Sequence, residues 1–203
     1  MEKVKKPLDK ALEALDAGKR EEAKAHIVQM ANDFRLAHDG MCSSLAQFLT
    51  FIANKNGEEA VLEVFRDSAE DYWKNVFMSL KDNPKKLHDF VVQAWRGHSS
   101  DYTLEEDDQK FTLVLHCCGT GGVLRKKKKT GPPLFGTTKK PYPWSFNRAG
   151  VPYYCAHCAT FFNVFPKEWG VDIMEHRFGR QFDENGKPVD EPCKNIVYKK
   201  PRS

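Results

Sequence analysis

No window of the 203 residues approaches eighteen consecutive apolar positions, which excludes a helical membrane span. The opening residues, Met1-Glu-Lys-Val-Lys-Lys-Pro, lack the apolar core of a secretory signal, so the expected location is the cytoplasm. No sequence repeat recurs along the chain. The glycines at 119–122 are not followed by Gly-Lys-Ser/Thr at Walker spacing, nor by the acidic residue of a dinucleotide fingerprint, so neither phosphate loop is present. No Glu-x-x-His or His-x-x-x-His pairing involves His26, His38, His88 or His98, which leaves these as surface or ordinary core residues. Acidic residues are absent from Gln109 to Lys167, and cysteine is absent from 43 to 116.

What is present is a globular composition, 40% apolar and 30% charged, in 23.3 kDa, enough for one sizeable core or two small ones. Six cysteines in a cytoplasmic chain read as thiols or metal ligands rather than a disulfide framework. The net charge of +4 conceals a strong asymmetry. Residues 1–108 carry −6, the acid-free segment carries +10, and residues 168–203 are neutral. The ten bases of the middle segment are Lys110, Arg125, Lys126, Lys127, Lys128, Lys129, Lys139, Lys140, Arg148 and Lys167. Such a block points to an anionic partner, or else to a solvated loop.

Apolar residues at three- and four-residue spacings predict helices from 8 to about 97. Leu8, Leu12 and Leu15 mark the first, closed by Ala17-Gly18. A second begins near Arg20, with a stop expected at His38-Asp39-Gly40 and a further break at Asn56-Gly57. Asp82-Asn83-Pro84 opens the last helix and Gly97 closes it. Strands follow at Asp101–Glu106 and Lys110–Cys117 around a polar turn. Arg177–Gln181 and Lys194–Lys199 read as a closing hairpin around Asp183-Glu-Asn-Gly. The expected class is α+β: a helical bundle over 1–98, then a smaller β-containing, loop-rich metal-binding part over 99–203, packed on the bundle as one unit.

Two clusters concentrate the chemistry. His116-Cys117-Cys118-Gly119-Thr120-Gly121-Gly122 is separated from Cys155-Ala156-His157-Cys158 by a Pro- and aromatic-rich stretch. A C-x-x-C pair offers two thiolates to one ion, and a second pair from a distant strand completes four. Alternation along an extended strand puts His116 and Cys118 on one side and Cys117 on the other. The expected metal ligands are therefore His116, Cys118, Cys155 and Cys158, with zinc as the ion. Cys117 and His157 are left over for catalysis. Glu168, the first acid after the acid-free stretch, is the expected proton acceptor. His176 is a second acid–base candidate, whereas Cys193 has no partner in sequence. Gly119, Thr120, Gly121, Gly122 and Arg125 form an expected anion-binding loop beside the metal, with a tight turn as the plainer reading. The ten aromatics of 131–169 can stack nucleobases, wall a pocket, or form the core of the second half.

Cys117-Cys118-Gly119 followed by Cys155-x-x-Cys158 resembles the C-C-G…C-x-x-C half-motif of the cysteine-rich domain in heterodisulfide reductase B-type subunits. The resemblance covers 42 residues and implies an iron–sulfur cluster and thiol–disulfide electron transfer. The family's upstream cysteine and its second copy of the motif have no counterpart here.

The function expected from these residues is that of a cytoplasmic zinc-dependent enzyme, a hydrolase or lyase acting on an anionic small molecule. Its first alternative is a zinc-stapled nucleic-acid-binding module. The second is an iron–sulfur or thiol redox protein.

Overall fold

The computed structural model describes residues 4–127, 135–179, 189 and 191–201, and the side chains of Lys126 and Lys127 are not among the described ones. The first expected helix is α1, Pro7–Asp16, with a proline at its start, where the missing N–H has no helical partner to lose. Gly18, at φ 72°, turns the chain out of it.

The stop expected at His38-Asp39-Gly40 does not exist, because α2 runs unbroken over Arg20–Asn56. Gly40 keeps a helical backbone, and a Cβ built on it would meet nothing within 4 Å. Glycine inside a helix costs about 1 kcal/mol relative to alanine, a penalty the long flanking turns absorb. Gly40→Ala is therefore expected to stabilise the protein by about 1 kcal/mol, read as a higher urea midpoint. A drop would contradict the helical backbone at that position. The break at Asn56-Gly57 is real, with Gly57 at φ 93°.

Helix α3, Glu59–Ser68, passes through a π turn at Ala69–Trp73 into α4, Lys74–Leu80. Helix α5, Pro84–Gly97, begins where the Asn83 side chain accepts the Lys86 N–H at 3.0 Å. Beyond it come β1 (Asp101–Glu106), β2 (Lys110–Cys117) and α6 (Gly121–Lys127). These lead to α7 (Tyr153–Ala159), a second π turn at Thr160–Val164, and α8 (Phe165–Glu168). β3 (Met174–Arg177) and β4 (Cys193–Tyr198) complete the order.

The mixture of helices with an antiparallel sheet makes the chain α+β. The sheet has the order β1-β2-β4-β3, all neighbours antiparallel. β1 and β2 match their expected limits. The closing pair is present as β3 and β4, although β3 begins and ends earlier than expected, and the Asp183-Glu-Asn-Gly turn lies outside the described residues. The region expected to be loop-rich carries the short helices α6, α7 and α8. Residues 153–160 of α7 and its junction are buried nearly all round, so no amphipathic period advertises the helix.

The chain divides into two compact units, Met1–Met41 and Cys42–Ser203, whereas its composition changes near 98. In the first unit the buried described residues are Ala11, Ala14, Ala23 and His38. In the second, α5 lays Leu87, Val91 and Trp95 in one apolar cluster with Leu113 and Leu115 of β2, Met174 of β3 and Val197 of β4. Phe162 and Cys158 belong to the same cluster. Another gathers Cys42, Ala46, Leu49 and Ala53 of α2 with Val61, Phe65, Tyr153 and Phe165. Trp144, Tyr153, Phe162 and Phe165 are buried, so these aromatics of the middle stretch form core.

Candidate functional site

Residues directly opposite in an antiparallel pair share a face, and Cys193, at the start of β4, stands opposite Leu115 of β2. Cys118 follows the last residue of β2. Cys155 and Cys158 are three apart on α7, which puts both thiols on one face of that helix. The result is that Cys118, Cys155, Cys158 and Cys193, all at most 8% exposed, line a single cavity. Thr120, Arg125, His157 and His176 supply its polar wall, and Trp95, Leu115 and Phe178 supply apolar wall. The cavity is about 10 Å³, room for one water or one ion.

Each of the four sulfurs has a polar neighbour. The Thr120 hydroxyl lies 3.2 Å from Cys118 Sγ, and Arg125 Nη1 donates to Cys155 Sγ at 3.2 Å. The Gly179 N–H donates to Cys193 Sγ at 3.3 Å, and His157 Nε2 lies 3.5 Å from Cys158 Sγ. His157 is fixed from its other side by the contact of Nδ1 with the Tyr154 carbonyl. None of the four thiols is in a disulfide. Among the described residues, no three His, Cys, Asp or Glu side chains are already placed to hold a metal ion.

Burial sets the proton affinities. It pushes Cys155 up to about 11, against the pull of the adjacent Arg125. It holds Cys158 and Cys193 above the usual thiol range as well. Burial alone would lower the Arg125 guanidinium, but the sulfurs of Cys155, Cys193 and Cys118 raise it. The buried imidazoles go the other way, His157 down to about 4 and His176 down to about 3. These groups are thiols and neutral imidazoles enclosed in apolar surroundings, which is the inert form of cysteine rather than the nucleophilic one.

Several expected residues meet here, and others do not. Cys118, Cys155, Cys158, His157, Thr120, Gly121 and Arg125 line the cavity. His116 is exposed, with Nε2 3.0 Å from the Thr103 hydroxyl on the neighbouring strand. The alternation that was to align it with Cys118 ends with β2 at Cys117, and the chain turns before Cys118. Cys117 is half-buried at that strand end and does not line the cavity. Glu168 is drawn off by Arg66, which donates to it at 2.6 and 3.2 Å.

The glycine loop serves packing. A Cβ on Gly119 would run into the His98 carbonyl, and its N–H donates to the Ser100 hydroxyl at 3.1 Å. A Cβ on Gly121 would lie 2.6 Å from Cys155 Sγ. A Cβ on Gly122 would crowd Cys118 at 3.0 Å. Lys128 and Lys129 lie outside the described residues. Among the described bases, Lys110 pairs with Asp107, Lys140 lies over Tyr142, and Arg148 donates to the Phe178 carbonyl.

Cys193 completes the wall without having been expected there, and His176, the second acid–base candidate, joins it. The available signal for Cys193 was period two, since Cys193, Asn195 and Val197 alternate inward, but Glu191 and Lys194 gave the segment a charged look. His176 is boxed by Trp95, Phe162 and Phe146 at 5.8–5.9 Å between ring centres. It is neutral when folded, while an unfolded histidine takes a proton below about 6.5. The unfolded chain therefore binds more protons, and the stabilising contribution present above pH 6.5 is lost as the pH falls toward 3. About 2 kcal/mol is expected to go between pH 6.5 and 5 from this one group. Urea midpoints of the native chain and of His176→Gln measured across that range check this, and an equal pH slope in both would refute it.

No protein-family model, curated protein or solved structure matches the chain, so the C-C-G…C-x-x-C likeness stands on its 42 residues alone. Among the described residues, no helix is long and apolar enough to cross a membrane.

Proposed function

We propose that the chain is a metal-binding protein whose zinc ion is held by Cys118, Cys155, Cys158 and Cys193. The observation that carries this reading is the convergence of four buried thiols, from three separate parts of the sequence, on a cavity of ion size. Burial otherwise keeps Cys155, Cys158 and Cys193 protonated, and a divalent cation in place of the thiol protons satisfies them. Zinc with four thiolates has a net charge of −2, and the buried Arg125 offsets part of it. The Thr120 hydroxyl and the Gly179 N–H are placed as the supporting hydrogen-bond donors such a centre needs. Zinc–sulfur distances of about 2.3 Å bring the side chains inward about the ion from their metal-free positions.

Four thiolates leave no coordination position open. The ion then fastens α7 to the β2 and β4 ends of the sheet, which favours a fastening centre over the zinc-dependent hydrolase or lyase. The dispersal of Cys117 and Glu168 away from His157 points the same way. A single-ion cavity also favours zinc over an iron–sulfur cluster.

Elemental analysis of protein purified without chelators tests the proposal. One zinc per chain in a colourless protein is expected, lost in Cys193→Ser and kept in His116→Ala. Protein that takes up no zinc on reconstitution overturns it. A visible sulfide–iron band replaces the ion with a cluster, and zinc lost from His116→Ala but kept in Cys193→Ser returns the ligand set to the other histidine-containing one.

A further inference from the structure

Arg125 stands in the wall of the thiol cavity with no carboxylate partner among the described residues. Arg66 and Arg177 behave differently, donating to Glu168 and Glu175. Arg125 instead donates through Nη1 to Cys155 Sγ at 3.2 Å, with its guanidinium carbon 5.3 Å from the centre of the Phe178 ring. The guanidinium folds back over the start of α6. A Cβ on Gly121 would touch Nη1 at 3.6 Å, and one on Gly122 would touch Nη2 at 3.9 Å.

Arginine does not give up its proton in a folded protein, so this is a fixed charge. A fixed cation drawn from water is costly unless an anion faces it. Four protonated thiols offer none, and Arg125 lies within the stretch from Gln109 to Lys167 that contains no acid. Four thiolates about a divalent ion carry −2 and supply the missing anion. The Thr120 hydroxyl and the Gly179 N–H each meet a single sulfur and bring no net charge. Arg125 acts on Cys155, Cys193 and Cys118 together.

We infer that Arg125 is a positioning residue whose fixed charge, rather than its packing, sets how tightly the thiolates hold a divalent ion. The inference rests on the zinc centre proposed above. It also carries an optical consequence. The guanidinium lies against sulfur, so it lowers the sulfur electrons more than the metal orbitals. Moving an electron from sulfur to a coloured metal such as cobalt(II), which shares zinc's tetrahedral thiolate preference, then takes more energy with Arg125 in place.

Zinc competition against a chromogenic chelator, with absorption spectra of the cobalt-exchanged full chain, tests the inference. Arg125→Gln keeps a donor of similar reach without the charge, and Arg125→Lys keeps the charge. Arg125→Gln is expected to bind zinc about 10–100-fold more weakly and to move the sulfur-to-cobalt band to longer wavelength. Arg125→Lys is expected to recover most of both. Arg125→Met replaces the glutamine variant if that chain lacks the native helical circular dichroism. Glutamine and lysine variants that bind alike overturn the inference, as does weaker binding with an unmoved band, which would be a packing effect. In both cases the native chain still binds zinc, and the zinc centre stands. A native chain that takes up neither metal overturns the two together.

Discussion

On the proposed zinc centre, Cys158→Ala is expected to lose the ion and, with it, most of the stability of residues 42–203. Structural zinc sites contribute on the order of 10 kcal/mol at neutral pH, comparable to the entire 5–15 kcal/mol by which a domain is stable. Removing one of four ligands leaves three buried thiols around a void between α7 and the sheet, with no ion to draw them in. Cys42→Ala is the matched comparison. Cys42 is equally buried, but its neighbour is the Tyr154 hydroxyl at 3.4 Å, in the other apolar cluster. Its loss is expected to cost only about 1–2 kcal/mol, with the zinc retained. Urea unfolding with parallel zinc determination separates the two. If Cys158→Ala is no less stable than Cys42→Ala, the ion does not hold the fold.

Glu58→Ala is expected to cost about 3 kcal/mol through hydrogen bonds to one charged acceptor. The Glu58 carboxylate, just before α3, accepts the Tyr153 hydroxyl at 2.7 Å, the Tyr142 hydroxyl at 2.8 Å and the Lys139 N–H at 2.8 Å. A single side chain thus ties the start of α3 to the aromatic segment and to the start of α7. Burial opposes its charge, but these donors outweigh it and hold the carboxyl below the usual range. The same contacts, added to burial, push Tyr142 up to about 12. Alanine would strand the phenol of Tyr153, whose residue is 2% exposed. Glu58→Gln keeps the shape and some of the acceptance, so about half the loss is expected. The carboxyl's folded pKa is lowered, so its contribution is complete above the ordinary carboxylate range and disappears as the pH falls through it. Urea midpoints at pH 7 and pH 4 read both effects: the gap between Glu58→Ala and the native chain should narrow at the lower pH, and a constant gap would rule out the charge.

Elements governed by local chemistry were legible in the sequence. β1 and β2 are visible as two short strand-forming runs around a polar turn, where Asp107 accepts the Gln109 and Lys110 N–H groups. The start of α5 is written in Asn83-Pro84. Where tertiary packing overrides a local signal, the reading fails. Gly40 sits in a helix because the residues on both sides are held there, and α7 escapes notice because nearly every side of it is buried. The same division runs through the thiol site. Cys118, Cys155 and Cys158 were recognisable from spacing alone. His116 was aligned with them by extending strand alternation past the residue where the strand stops, and Cys193 was hidden because its placement depends on which strand β4 pairs with.

That pairing also imposes an order in time. β4 lies between β2 and β3, yet it follows every other strand and helix in sequence. During synthesis, β2 and β3 therefore emerge as partners of a strand that has not been made, with Leu113, Leu115 and Met174 facing water until residues 193–198 arrive. The sheet cannot be completed before its central β4 is made, so a nascent chain paused before Cys193 is expected to be a form in need of a chaperone.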